Sequence, residues 1–337
     1  MTATTIQTRS GPSDVIKRLL RRAGLRRHRV AAARMFLERN VLAATHRGDA
    51  REGGRILCYH SLGQPRFGVN DVSPGLFRRQ IELALGAGFR FVAPEVLART
   101  GGGARDLAVT FDDGLRSVLT HGAPILAEYG IPWAVFVVSD WANGGGGWPD
   151  ATVLSWRDLE HVRSVAEIGS HSASHPDIGG VGAEQLAHEL GESRRAIARH
   201  LGIEVTSFAI PFGQSANWSA TAQEAARAAG YDLVYAQAEQ TRPAGTIPRT
   251  FVTRFDRLGV FRSLLAAAFG PLMAGVVLRN RRQVVLSVVL TPVLLGIVAA
   301  QDPRPARALR VLVAALLAFE LAFGFVMYYL WLRFPWG

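Results

Sequence analysis

An apolar run that ends on two adjacent carboxylates constrains this chain more than any other stretch. Val109-Thr110-Phe111-Asp112-Asp113-Gly114 reads as a buried strand stopping at a turn. An ionised aspartate in a strand is costly unless it is solvated, paired or bound to a cation. Further on, Gly169-Ser170-His171-Ser172-Ala173-Ser174-His175-Pro176 closes another apolar run and supplies two imidazoles four positions apart. A carboxylate and two imidazoles are a common ligand set for a zinc-type cation with an open position. The second carboxylate can then accept a proton from cation-bound water. Strand side chains alternate in direction, so Asp113 as ligand and Asp112 as base reach one site only if the strand ends there. An Asp-Asp pair alone is usually solvated and a lone HxxxH is usually structural. Their conjunction at two strand ends is what points to a metal site.

The elements around these motifs alternate. Ile56-Leu57-Cys58-Tyr59-His60 reads as a buried strand, and Cys58 as an inert core residue within it. Ser73-Pro74 opens a helix with Phe77, Ile81 and Leu85 on one face. Strands are expected at 89–92, 107–111, 133–138, 166–170, 207–210, 233–235 and 250–253. Helices are expected at 123–129, 156–162, 183–201 and 221–229, two of them stopped by Gly130 and Gly230. Asn143 to Gly147 is a glycine-rich loop without a P-loop lysine, hence a flexible crossing. Strand–helix alternation argues for parallel βα units, with chemistry at the C-terminal ends of the strands.

Charge and hydropathy set the flanks apart. Of a net charge of +11 in 337 residues, residues 1–51 carry twelve Lys/Arg against three acids. This segment reads as a solvated, partly helical tail, an anionic-membrane contact or, with the least support, a nucleic-acid contact. Only 19 % of residues are charged, which leans toward membrane contact. Ser263 to Leu278 is apolar but broken by Gly270-Pro271. Val284 to Ala300 and Val311 to Leu332 are apolar runs near spanning length, joined by a polar, Pro-containing turn. They read as a membrane hairpin, the alternative being a buried helical hairpin or dimer interface. Nothing ahead of the globular part could start its export, so that part is expected to face the cytoplasm. The one cysteine excludes an intrachain disulfide and fits a reducing compartment.

Thr110-Phe111-Asp112-Asp113-Gly114 with His171-Ser172-Ala173-Ser174-His175-Pro176 resembles the polysaccharide deacetylases, the NodB-homology group of carbohydrate esterase family 4. Leu57-Cys58-Tyr59-His60-Ser61 resembles the start of one branch of that family, Ser73 to Val92 its next helix and strand, and Phe208-Ala209-Ile210-Pro211-Phe212-Gly213 its third motif. The resemblance covers roughly residues 55 to 256. It implies an incomplete (β/α) barrel, a divalent metal, usually zinc, and hydrolysis of N-acetyl groups on amino sugars. It makes Asp113, His171 and His175 the ligands and Asp112 the base. Pro211 and Phe212 would then line the acetyl and oxyanion side of the pocket, although a plain turn after a strand fits Phe212 nearly as well.

Three departures stand out. Ala209 and Ile210 occupy the place of an arginine that supports the base, so Arg249, grouped with the substrate and oxyanion residues, or Arg254 is expected to substitute. The fourth motif's tryptophan has no clear match. No histidine follows His200, so the fifth motif's general acid is missing. His60 is expected either to protonate the leaving amine or to orient Asp112.

The expected α/β chain therefore has a basic segment (1–52), a deacetylase domain (53–260) and a membrane-associated helical segment (261–337). Its expected partners are an N-acetylated sugar, in a glycan or on a lipid carrier, and membrane lipids, with no nucleic acid. The alternative is a catalytically impaired glycan-binding scaffold on the same fold.

Overall fold

The computed structural model describes residues 53–149, 152–237 and 243–266. The strands are β1 (Arg55–Tyr59), β2 (Ser61–Leu62), β3 (Asp71–Val72), β4 (Arg90–Phe91), β5 (Asp106–Phe111), β6 (Trp133–Val137), β7 (Glu167–Ser170), β8 (Ser207–Ala209), β9 (Leu233–Tyr235) and β10 (Thr250–Phe251). The main sheet runs β10-β1-β5-β6-β7-β8-β9, and β4 pairs with the first two residues of β5. Every pairing in it is parallel, which requires the crossover helices that the alternating sequence supplies.

Alternation along each strand sorts residues onto two faces. Leu57, Tyr59, Leu107, Val109, Phe111, Val135 and Val137 join the larger apolar cluster beneath the helices. Ile56, Ala108, Phe136, Ala209 and Tyr235 form a smaller cluster on the other face. Phe136 on β6 and Tyr235 on β9 have two strands between them in the sheet, yet their ring centroids are 5.0 Å apart. The sheet is therefore strongly curled, and this second cluster fills its concave side. Gly169 makes room for it: a Cβ there would lie 2.5 Å from the Phe136 ring. The curl is not closed by strand pairing. Instead Ile247 bridges to Tyr235 while Thr250–Phe251 pairs with β1, so the chain crosses from one edge to the other.

Helix α1 (Pro74–Gly86) starts where Ser73 accepts a hydrogen bond from Leu76 N–H and Pro74 fixes the first φ. It buries Phe77 edge-on against Tyr59, at 5.0 Å between ring centroids. Removing that ring would cost about 3–5 kcal/mol. The remaining helices are α2 (Pro94–Thr100), α3 (Ala123–Glu128), α4 (Ser139–Ala142), α5 (Trp156–Val162), α6 (Ala183–Leu201), α7 (Ala220–Ala228) and α8 (Leu258–Ala266). Helix α6 ends at Gly202 in the left-handed conformation that a side chain disfavours.

The parallel half-barrel agrees with the sequence expectation, and α5, α6 and β9 have the expected bounds. Strand β10 is shorter than expected: its last bond to β1 runs from Val252 N–H to Cys58 O at 2.9 Å. Helix α8 runs through residue 260, the expected domain end, and its Phe261, Leu264 and Leu265 join the core and pack against α1. Among the described residues no helix is long and apolar enough to cross a membrane. The basic segment 1–52 and the expected apolar hairpin at 284–332 lie outside the described residues.

Candidate metal centre

His60, Asp112, Asp113, His171, His175, Pro211 and Phe212 follow the C-terminal ends of parallel strands, whereas Arg249 precedes β10. The turn after β5 explains how neighbouring aspartates reach one site. Asp112 continues the ladder, donating N–H to Tyr59 O at 3.0 Å. Asp113 then adopts φ 70°, which swings its side chain back to the same mouth. Ser172, His175 and Phe212 also have positive φ. These four are the only non-glycine residues with positive φ among the described residues, and each stores on the order of 1 kcal/mol. Backbone strain is thus concentrated on the two motifs and the third-motif loop.

The imidazoles are presented by a tight loop. His171 N–H donates to Val137 O at 2.8 Å, extending β7, and its Nδ1 lies 2.8 Å from Ala209 O. A carbonyl only accepts, so the ring proton sits on Nδ1 and the Nε2 lone pair is free. Ser172 Oγ accepts from His175 N–H at 2.9 Å. The loop is pinned from outside by buried Glu189 on α6, whose carboxylate accepts from Ser174 N–H and Oγ–H. The result puts Asp113 Oδ1 3.5 Å from His171 Nε2 and 3.5 Å from His175 Nε2.

Those distances fit a shared cation. Two ligand bonds of about 2.1 Å at a tetrahedral angle separate the ligand atoms by about 3.4 Å. Three neutral or anionic donors at this spacing, one with its tautomer fixed by a backbone carbonyl, suit a zinc-type ion. Cys58, His60 and Asp112 form another trio within 4.8 Å of one another. That trio is the weaker candidate, because the Arg249 cation already occupies both Asp112 oxygens.

Asp112 is only 1 % exposed. It survives burial through a bidentate pair: Arg249 Nη1 donates to Oδ1 at 2.6 Å and Nη2 to Oδ2 at 2.7 Å. Cys58 Sγ adds a weak bond at 3.4 Å. Arg249 is wholly buried, donates from Nε to Ala236 O at 2.9 Å, and lies 5.2 Å from the Phe136 ring centroid. Of the two arginines expected to support the base, Arg249 is the one that pairs with Asp112. It sits beneath Asp112 on the concave face, wholly buried and bound to both oxygens of that carboxylate. Arg254 is exposed.

Electrostatics follow this geometry. Burial, the largest effect, raises the Asp112 carboxyl, but the charges of Arg249, His171 and His60 and the Arg249 hydrogen bonds together outweigh it, and the group ends well below the usual range. Burial likewise opposes ionisation of Asp113, and its bond to His171 together with the His60, His171 and His175 charges brings it below the ordinary value. His171 is pushed down by burial and up more strongly by Asp112 and Asp113. Burial, then the His171 charge, lowers His175 to about 4, leaving it a neutral ligand. Burial pushes the Cys58 thiol up, as an inert core residue requires.

His60 follows β1 and is 6 % exposed. Its Nε2 lies 3.1 Å from Gln237 Nε2, its ring packs on Phe251, and its Nδ1 is buried with no partner among the described residues. Gln237 also donates N–H to Gly213 O at 2.9 Å, tying His60 to the Phe212 loop. Pro211 is buried at the base of that loop. Phe212 is 51 % exposed and packs edge-on to His175 at 4.8 Å. Trp141 stacks on the other side of His175 at 5.4 Å. Sequence reasoning missed Gln237, Glu189 and Trp141. Trp141 alone carried a signal, as an aromatic just beyond a buried strand.

Residues 100–234 match the polysaccharide deacetylase family. The match includes Asp112, Asp113, His171, His175 and Phe212, but not His60 or Arg249. Over 100 residues the chain is 32 % identical to a chitooligosaccharide deacetylase of Sinorhizobium fredii, covering 29 % of this chain and 42 % of that protein. The chain thus spans under half the length of that curated relative. IcaB of Ammonifex degensii superposes with a TM-score of 0.53 at 25 % identity, over 65 % of this chain and 98 % of that one. The Streptococcus pyogenes deacetylase PplD, solved with acetate, gives a TM-score of 0.55 at 19 % identity, over 65 % and 99 %, a likeness of fold. In its matched motifs and its curled parallel sheet the chain is similar to the polysaccharide deacetylases.

Proposed function

We propose that the domain is a metal-dependent amidohydrolase that removes N-acetyl groups from amino sugars of a glycan or a lipid-linked glycan precursor. The observation that carries this reading is the single Asp113 oxygen 3.5 Å from both imidazole Nε2 atoms, beside a separately held carboxylate. Asp113, His171 and His175 hold the divalent cation, with zinc the best fit. When bound, that ion supplies an activated water and a Lewis acid for the acetamide oxygen. Asp112 takes the proton of the attacking water. Arg249 fixes both oxygens of Asp112, so the carboxylate enters the reaction ionised and in one orientation. A backbone N–H near Phe212 adds a donor to the developing oxyanion, and Pro211 shapes that turn. His60 returns a proton to the leaving amine, filling the place of the absent C-terminal histidine. A glycan-binding scaffold would have no use for a buried, ion-paired Asp112 beside a ligand trio, so hydrolysis is favoured.

The basic segment and the apolar C-terminal stretches attach the domain to the cytoplasmic face of a membrane. That placement raises the local concentration of a lipid-linked substrate. A reporter fused at residue 53 checks it, and an external location of the reporter would overturn it.

The activity test incubates zinc-loaded protein with N-acetylated amino sugars, free and lipid-linked, and measures acetate. Wild type should release it and Asp112→Asn should not. No acetate from any substrate with metal bound would favour the scaffold. His60→Ala should lower kcat about a hundredfold or more without loss of metal; unchanged kcat would remove its acid role.

A further inference from the structure

Along α6 the surface arginines are neutralised in place: Arg195 and Arg199 pair with Glu192, and Arg194 with Glu204. Arg79, Arg254, Arg257 and Arg262 are treated differently. All four are exposed, and none has an ion-pair partner among the described residues. Arg157 and Arg227 share that state but stand singly on α5 and α7.

The chain's own bonds bring the four together. Arg254 N–H donates to Val69 O at 3.1 Å, joining the segment after β10 to the segment after β2. Gln80, next to Arg79 on α1, donates from Nε2 to Asp256 O at 2.7 Å. Helix α8 packs on α1 and turns Val260, Phe261, Leu264 and Leu265 into the core, which leaves Arg262 outside. The acids on these segments do not offset the charge. Asp71 accepts from Ser61 Oγ–H and Gln64 N–H, Asp256 accepts from Thr253, and both are buried. Glu82, the exposed acid of α1, accepts from Tyr129 O–H.

The patch has two informative borders. One is the rim of the metal centre, since Phe251, three residues before Arg254, packs on His60. The other is α8, which runs to Ala266, where the sequence continues into apolar stretches to Leu278 and from Val284 to Ala300. Uncompensated guanidinium groups beside an apolar continuation of the chain suit the phosphates of an anionic bilayer. Each arginine held near such a surface favours contact about fivefold.

We propose that Arg79, Arg254, Arg257 and Arg262 form the face by which the domain lies on an anionic lipid surface, with the rim at β1 and β10 at headgroup level. This assignment rests on the membrane attachment proposed above and goes further, naming the face that touches the bilayer and the lipid charge it needs. A substrate carried on a lipid then meets the metal centre from that rim.

The test uses the full chain with a bimane label at Gly259→Cys, between Arg257 and Arg262, or at Thr221→Cys on α7. A side chain at Gly259 meets nothing within 4 Å, and Cys58 is buried away from the label. Quenching by nitroxide-headgroup lipid is read in vesicles of phosphatidylcholine, with and without about a third phosphatidylglycerol. In the anionic vesicles quenching at 259 should exceed that at 221 at least about threefold, and the excess should vanish in neutral vesicles and at about 0.5 M salt. The triple variant Arg254→Gln, Arg257→Gln, Arg262→Gln should lose the excess while still floating with the vesicles. Its denaturant midpoint should match wild type, as for other surface changes. Equal quenching at the two positions, or an excess that survives the triple substitution or neutral lipid, would overturn the docking face and leave the attachment of the chain intact. A chain that floats with neither vesicle would sink the attachment reading and the docking face with it. Single-stranded DNA bound more tightly than anionic vesicles, and lost in the same variant, would assign the patch to nucleic acid and overturn the proposal.

Discussion

Two carboxylates, buried Asp112 and half-buried Glu167, mark the two ends of the curled sheet, and they have been treated oppositely. Asp112, at the C-terminal end, meets a full guanidinium and lies far below its ordinary pKa. Glu167, at the start of β7, has as its one hydrogen-bond donor among the described residues the Glu95 N–H, at 3.1 Å. Burial pushes Glu167 up to about 7. Where charge is needed, the fold supplies a counter-charge, two backbone reversals and a fixed tautomer. At the other end Glu167 tolerates a proton instead, while Asp106 at the start of β5 is paired with Arg90. Parallel barrels place chemistry at one end and stability at the other, and these two acids show the physical form of that division.

The contrast predicts effects of very different size. Breaking the Asp112–Arg249 pair is the largest. Arg249→Leu leaves a buried carboxylate uncompensated and should destabilise the domain by about 3–5 kcal/mol, read from denaturant midpoints. Replacing both partners by leucine should recover most of that stability and none of the activity. A double variant as unstable as the single one would deny that charge is the reason.

At the same end, Asp113→Asn separates function from folding. Asparagine tolerates the φ of 70°, so stability should stay within about 1 kcal/mol of wild type. Zinc affinity should fall by at least about a hundredfold, measured by competition with a chelator dye. Unchanged affinity would remove Asp113 from the ligand set.

Glu167→Gln gives the smallest effect, with a sign set by pH. The folded pKa of about 7 exceeds the unfolded value near 4.5, so folding takes up a proton between them. The contribution of Glu167 is fully present below about 4.5 and is lost as pH rises through 7. At pH 8 the glutamine variant should therefore be more stable than wild type by about 1–2 kcal/mol, the gap closing toward pH 5. A gap that widens toward acid would contradict the assignment.

How much of this was legible in the sequence follows the range of the interactions. Asp112, Asp113, His171 and His175 could be found because each pair is local and ends an apolar run. The strands could be found because a doubly covered parallel sheet needs continuous apolar runs. Arg249 could not be separated from Arg254, since only the crossing of the chain between the two sheet edges carries one beneath Asp112 and leaves the other outside. Helix α2 was missed although Pro94 and Gly101 bracket it, because its seven residues give too few turns for a periodic pattern. Trp141 was missed because its neighbour in space, His175, comes from a different loop.

Anomalous X-ray scattering from crystals soaked in a zinc salt tests the central claim most directly. One peak is expected per chain, about 2.0–2.2 Å from an Asp113 oxygen and from Nε2 of both His171 and His175. A peak among Cys58, His60 and Asp112 instead, or none at either place in crystals of protein that still releases acetate, would contradict it.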